Sequence, residues 1–196
     1  MKTEVVLFPY GFDPNIFYPR NLEKTYDFGF SGALHAENNY PIGAFKNPNI
    51  RQKALRLLKT INHLNYFWKS TDNFDTARIH DNTEYAETIN KSKIWMATQA
   101  AFGDITPRYF EVMGSGSLLF CEENPLEYKN IFKNNVNCIE FNNSLKNFVN
   151  QINNTLTNDG RLLKMINRAS EEAHQKHTWD RRSDKLIRLI EEKNHI

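Results

Sequence analysis

Apolar residues fall along this chain in two alternating rhythms. Compact blocks rich in aromatic and β-branched side chains occur at Thr3–Phe8, Tyr26–Phe30, Leu64–Trp68, Lys93–Thr98, Ser117–Cys121 and Asn137–Phe141, and short bounded blocks of this kind predict strands. Between them apolar positions recur at helical spacing, as in Ile50, Ala54, Leu57, Leu58 and Ile61, and again in Leu145, Phe148, Val149 and Ile152. That period predicts helices over Asn49–Ile61 and Ser144–Leu156. Thr83–Ser92, Pro125–Phe132, Asn158–His174 and Asp180–Glu192 read as further helices. A break at Lys176–Trp179 divides the last two, and Asn158 and Asp180 are the expected N-caps.

Strands alternating with helices imply an α/β fold, a Rossmann-like parallel sheet wound with right-handed crossovers, with helices on both faces and a helix pair at the end. Residues 1–22 read as a first strand and a connector, since Pro9, Gly11, Pro14 and Pro19 forbid regular structure. Residues 23–178 form the sheet domain and 179–196 a C-terminal helix. Ligands of such sheets bind outside the carboxyl ends of the strands. One rim therefore collects Ser31-Gly32, the loop from Gln99 to Thr106, and the loop after Cys121.

The run TPRYFEVMGSGSLLFC, Thr106 to Cys121, supplies chemistry to that rim. Pro107 suits a first helical turn and Thr106 before it can cap the free amides, while Gly114 and Gly116 provide the exit. A short helix so placed favours an anion at its N-terminus. Arg108 adds a fixed fork of donors in the first turn, and Glu111, one turn on, can accept two hydroxyls of a sugar. The plain alternative is an amphipathic helix with a solvated Arg and Glu; the position on the ligand rim favours the functional reading.

Composition narrows the classes. The 196 residues, 40% hydrophobic and 13% aromatic, suffice for a real core, and 25 basic against 23 acidic residues leave a net charge of +2. Nothing in that balance calls for nucleic acid or an anionic membrane as partner. No apolar run reaches bilayer length, and the N-terminal apolar stretch is too short for a secretory signal. Cys121 and Cys138 read as buried hydrophobes, so a cytoplasmic, reducing location is expected.

Other candidates sit beside simpler readings. His174 and His177 have a spacing that can bind zinc, but no third ligand completes the set, so no metal is expected. His35 falls just past the glycine turn, on the rim, where a surface histidine is the simpler reading. Arg51 and Lys53 open the helix after that turn and can reach a phosphate or remain solvated. Tyr109 either packs beneath its helix or touches ligand; Trp95, Met96 and Phe120 read as core. No Ser-His-Asp order, phosphate-binding Walker loop, dinucleotide fingerprint or zinc knuckle occurs.

The segments LFPYGFDPNIFYP, YDFGFSGALH, TPRYFEVMGSGSLLF and HTWDRRSDKLIRLI resemble, almost end to end, the C-terminal, donor-binding half of GT-B glycosyltransferases, particularly the CgeB-like, spore-maturation branch of group 1. The resemblance implies that residues 23–178 bind a nucleoside diphosphate sugar and help transfer the sugar to an acceptor of unknown kind, a glycan, protein or lipid. It implies that Glu111 binds the nucleotide ribose, that Arg108 lies against the donor, that amides behind Thr106 meet the diphosphate without a metal cofactor, that Gly32 and Ala33 allow close backbone approach, and that Ser31 beside them belongs to the donor site. Many relatives carry a second glutamate eight residues before the ribose-binding one. Here that position is Gly103, with Asp104 next to it, so Asp104 and His35 are the catalytic candidates and the stereochemistry stays open. The chain begins where an acceptor-binding half would end. An acceptor domain from the rest of a larger enzyme, from a separate chain or from a homo-oligomer is therefore expected; a non-catalytic nucleotide-sugar sensor and an interaction module on a flavodoxin-like scaffold are the alternatives.

Overall fold

The computed structural model describes residues 6–34, 49–70, 79, 81–100 and 102–194. In chain order these form β1 (Tyr26–Ser31), α1 (Ile50–Leu58), β2 (Tyr66–Lys69), α2 (Asn82–Asn90), β3 (Ser92–Ala97), α3 (Pro107–Gly114), β4 (Leu118–Glu122), a 3-10 turn at Leu126–Tyr128, β5 (Cys138–Phe141), α4 (Phe148–Leu156), α5 (Asp159–Lys176) and α6 (Trp179–Asn194). All strand pairs are parallel, in the order β2-β1-β3-β4-β5. The fold is thus the expected Rossmann-like α/β sheet. The strand order reverses between β1 and β3, which opens a crevice at their carboxyl ends.

Period-two alternation divides the core. Phe28, Phe30, Ile94, Met96, Leu118 and Phe120 face α1 and α4, whereas Trp95, Ala97, Leu119 and Cys121 face α2 and α3. Helix α5 serves both sides: Leu162, Met165 and Ile166 join the first cluster, Ala169 and Ala173 the second. Gly29 occupies the β1 position opposite Trp95, where an added Cβ would lie 2.2 Å from the indole Cε3.

Several local expectations are corrected. Thr3–Phe8 is not a described strand: residues 3–5 lie outside the described residues, and Val6, Leu7 and Phe8 are irregular and exposed. The left-handed exit of α3 is taken by Gly116 alone (φ 72°). Gly114 is still helical, and its missing side chain is what admits the Phe12 ring, 2.5 Å from where a Cβ would stand. Asn158 caps α5 by accepting from the Arg161 amide at 2.9 Å. Asp180 does not cap α6, because that helix starts a residue earlier and the Thr178 hydroxyl accepts from the Arg181 amide at 3.3 Å. The connector is docked: Phe12 is 1% exposed and bridges to Thr178, and the half-buried Lys24 donates from its ammonium to the carbonyls of Asn90, Ser92 and Gly116 at 2.7–3.0 Å.

Candidate functional site

The crevice between the loops after β1 and β3 is built by residues that grip backbone. Gly32 follows β1, and its missing side chain lets the Arg108 guanidinium come in from α3: a Cβ there would sit 2.6 Å from Arg108 Nη1. Arg108 and Glu111, half-buried and three apart on α3, share a face. Both act on the Tyr85 phenol of α2, which burial raises above its usual range; the Arg108 charge pulls it down and the Glu111 charge pushes it further up. The structure therefore brings Gly32 and Arg108 together at the switch point, with Glu111 one turn along α3 and Tyr85 within the field of both charges.

The first turn of α3 is less rich in donors than the sequence suggests. Pro107 has no N–H, and the Tyr109 amide donates to the Thr106 carbonyl at 3.2 Å. The Arg108 amide and guanidinium remain to face the rim, so an anion there depends chiefly on Arg108. Thr106 takes the extended N-cap conformation, yet its hydroxyl makes no capping bond and is buried without a partner. The expected Thr106 side-chain cap is thus corrected.

Arg51 is buried at 6% exposure rather than reaching outward. Its Nε donates to the Thr98 hydroxyl at 2.8 Å and its Nη1 to the Ala33 carbonyl, with the guanidinium 5.6 Å from the Phe30 ring centre. It staples the loop after β1 to the exit of β3. Ser31, at 4% exposure, closes β1 beneath that staple.

The loop after β3 is pinned on its other side by a buried carboxylate. Glu122, 2% exposed at the end of β4, accepts from the Gln99 amide at 2.6 Å, and the Gln99 side chain donates to the Glu123 carbonyl at 3.0 Å. The next strand repeats the device: Glu140 of β5 accepts from Asn124 Nδ2 and Lys129 Nζ, both at 2.7 Å. Backbone bonds from Ala100 N to Asp104 O and from Gly103 N to Ala100 O, each 2.9 Å, close the loop before α3. Gly103 has φ 89°, a conformation that L side chains resist, and Asp104 beside it is exposed.

Tyr109 is fully buried, its ring 5.3 Å from and edge-on to Phe132, and burial drives its phenol well above the usual range. It packs beneath α3. His35 lies outside the described residues. His174 bonds the Gly114 carbonyl at 3.0 Å and His177 Nδ1 accepts from Arg182 at 2.6 Å, both structural roles. Among the described residues no group of three His, Cys, Asp or Glu is arranged to hold a metal ion, and no helix is long and apolar enough to cross a membrane. Gln99, Glu122, Glu140 and Tyr85 are the rim residues that sequence reasoning missed. Gln99, Glu122 and Glu140 fall in apolar or irregular runs and Tyr85 on the predicted helix over Thr83–Ser92, and only the assembled fold shows where each one points.

This topology, with its glycine-lined crevice at the β1/β3 switch point, is that of a GT-B glycosyltransferase half. The sequence of residues 49–188 matches the family described as glycosyl transferase-like, and the chain belongs to that family. Similar solved structures include sucrose-phosphate synthase from Thermosynechococcus elongatus (TM-score 0.70, 11% identity, 97% of this chain and 53% of that one). Anabaena HepE in complex with UDP and glucose is another (TM-score 0.63, 12% identity, 92% and 55%). A third is the C-terminal domain of the group 1 glycosyl transferase LpcC from Francisella tularensis (TM-score 0.60, 12% identity, 86% and 100%). The chain spans about half the length of the first two. Curated proteins gave no sequence match.

Proposed function

We propose that this domain binds a nucleoside diphosphate sugar in the crevice between the loops after β1 and β3 and, with an acceptor-binding unit, transfers the sugar to an acceptor. The observation that carries this reading is the Arg108 guanidinium laid over Gly32 with Glu111 on the same face of α3. A guanidinium at the switch point suits a diphosphate, and a carboxylate one turn along suits ribose hydroxyls. That Anabaena HepE holds UDP and glucose supports the ligand class, and the four resembling segments support a CgeB-like member. Helices and basic groups meet the phosphate charge, so no metal is required in this reading. The buried free thiols of Cys121 and Cys138 suit a reducing cytoplasm.

Titration calorimetry of the purified chain with UDP, GDP, ADP and dTDP tests it. One diphosphate is expected to bind, and Glu111→Ala is expected to weaken it at least tenfold, since each charge-assisted hydrogen bond lost contributes roughly 1.5–3 kcal/mol. Unchanged affinity in a folded Glu111→Ala protein would sink the assignment.

One observation favours a second reading, a nucleotide-sugar binder without transfer. The position where many relatives carry another glutamate is Gly103, whose φ of 89° marks a glycine turn rather than a carboxylate platform. Donor binding with neither transfer nor donor hydrolysis, across candidate acceptors and partner chains, would establish it.

A further inference from the structure

We infer that Glu122 is a positioning residue of the proposed donor site, holding the loop that leads into α3 on its ligand-ready path. The inference rests on the donor-site reading above. Its side chain is 2% exposed and its Oε2 lies 2.6 Å from the Gln99 amide. A buried carboxylate is costly to desolvate, and an apolar residue at a strand end would avoid that cost. One thing this carboxylate holds is the Gln99 amide.

What it holds is the base of the loop that carries Arg108. Thr98 and Gln99 are consecutive, and two buried groups of opposite charge grip them from opposite flanks: Arg51 bonds the Thr98 hydroxyl at 2.8 Å, Glu122 the Gln99 amide. The Gln99 side chain adds a second tie to β4 through the Glu123 carbonyl at 3.0 Å. Beyond Gln99 the loop closes on itself through the Ala100–Asp104 and Ala100–Gly103 backbone bonds, so its direction is set at its base. Glu122 itself stands at the far end of β4 from the α3–β4 turn and is not among the residues proposed to touch the donor. It acts through Gln99, fixing where α3 begins and hence where Arg108 crosses Gly32.

Glu122→Ala and Glu122→Gln, compared with wild type, test this by amide hydrogen exchange of the ligand-free chain and by UDP titration. Glu122→Ala is expected to raise exchange across residues 98–106 while β1 and β5 keep their protection, and to weaken UDP at least tenfold. Glu122→Gln retains an acceptor for the Gln99 amide, and is expected to restore the loop protection and most of the affinity. Should the alanine variant fail to fold, the glutamine variant is read alone: UDP affinity within a few-fold of wild type, with loop protection intact, is expected. The inference is overturned by wild-type exchange over 98–106 in Glu122→Ala, by a rise spread evenly over the sheet, or by a glutamine variant whose loop exchanges freely. A wild-type chain that binds no nucleotide overturns the donor reading instead, and the exchange comparison still decides whether Glu122 holds the loop.

Discussion

Gly32 and Arg108 share one space: the site of a Cβ on Gly32 is 2.6 Å from Arg108 Nη1 and 3.2 Å from the Phe30 ring tip. The backbone after β1 and the guanidinium from α3 can meet only because that side chain is missing. Gly32→Ala is therefore expected to fold, because the arginine end can swing aside, while displacing the cation that would meet a diphosphate. UDP affinity should fall about tenfold, the scale of one charge-assisted contact, with the melting temperature close to wild type. Titration calorimetry beside a thermal melt checks both halves.

Gly29 gives the opposite result. An added Cβ would stand 2.2 Å from Trp95 Cε3 and 2.7 Å from Ser92 Oγ, both fully buried, and neither can move without disturbing β3. Gly29→Ala is expected to cost about 1–3 kcal/mol or more through overpacking. Urea denaturation would read this as a lower midpoint with an unchanged slope.

Gly103→Glu would restore the missing carboxylate in sequence but not in structure. At φ 89° a side chain is strained, so the variant should lose about 1–2 kcal/mol of stability. Donor hydrolysis should not rise. A gain in hydrolysis or transfer would show that the loop can reshape around a glutamate.

His177 makes stability depend on pH. Burial, followed by the charge of Arg182, lowers its pKa from 6.5 to about 3. The unfolded chain thus binds a proton that the folded chain refuses, and stability present above pH 6.5 is lost as pH falls from 6.5 toward 3. The slope attributable to this group is at most about 1.4 kcal/mol per pH unit. In His177→Asn the amide oxygen can still accept from Arg182, as Nδ1 does at 2.6 Å. Denaturation at pH 7, 5.5 and 4.5 should show a flatter decline in that variant than in wild type.

Periodicity made the sheet and its helices legible, because β3 and β4 are apolar on both faces and α1 and α4 carry clean stripes. The glycine and proline punctuation of residues 106–116 located α3 for the same reason. The inner anatomy of the rim was not legible. Arg51 reads as a helix-start cation until the fold shows it turned inward to Thr98 and Ala33. Glu122 closes an apolar run and gives no sign that it will meet Gln99, 23 positions away in the chain. Such contacts depend on register between strands, which local patterns do not encode. Thr106 misled for a different reason, since a good capping residue type still needs its hydroxyl turned toward the helix.

The seat of Phe12 sets a time order for the making of this protein. The ring lies 5.2 Å from His174, its amide donates to the His177 carbonyl at 3.3 Å and its carbonyl accepts from the Trp179 amide at 3.0 Å. A ribosome delivers those partners only after all five strands of the sheet have been synthesised. Until then the Phe12 ring has only its seat at Gly114 on α3, and the emerging chain carries an adhesive spot that α5 and α6 finish covering.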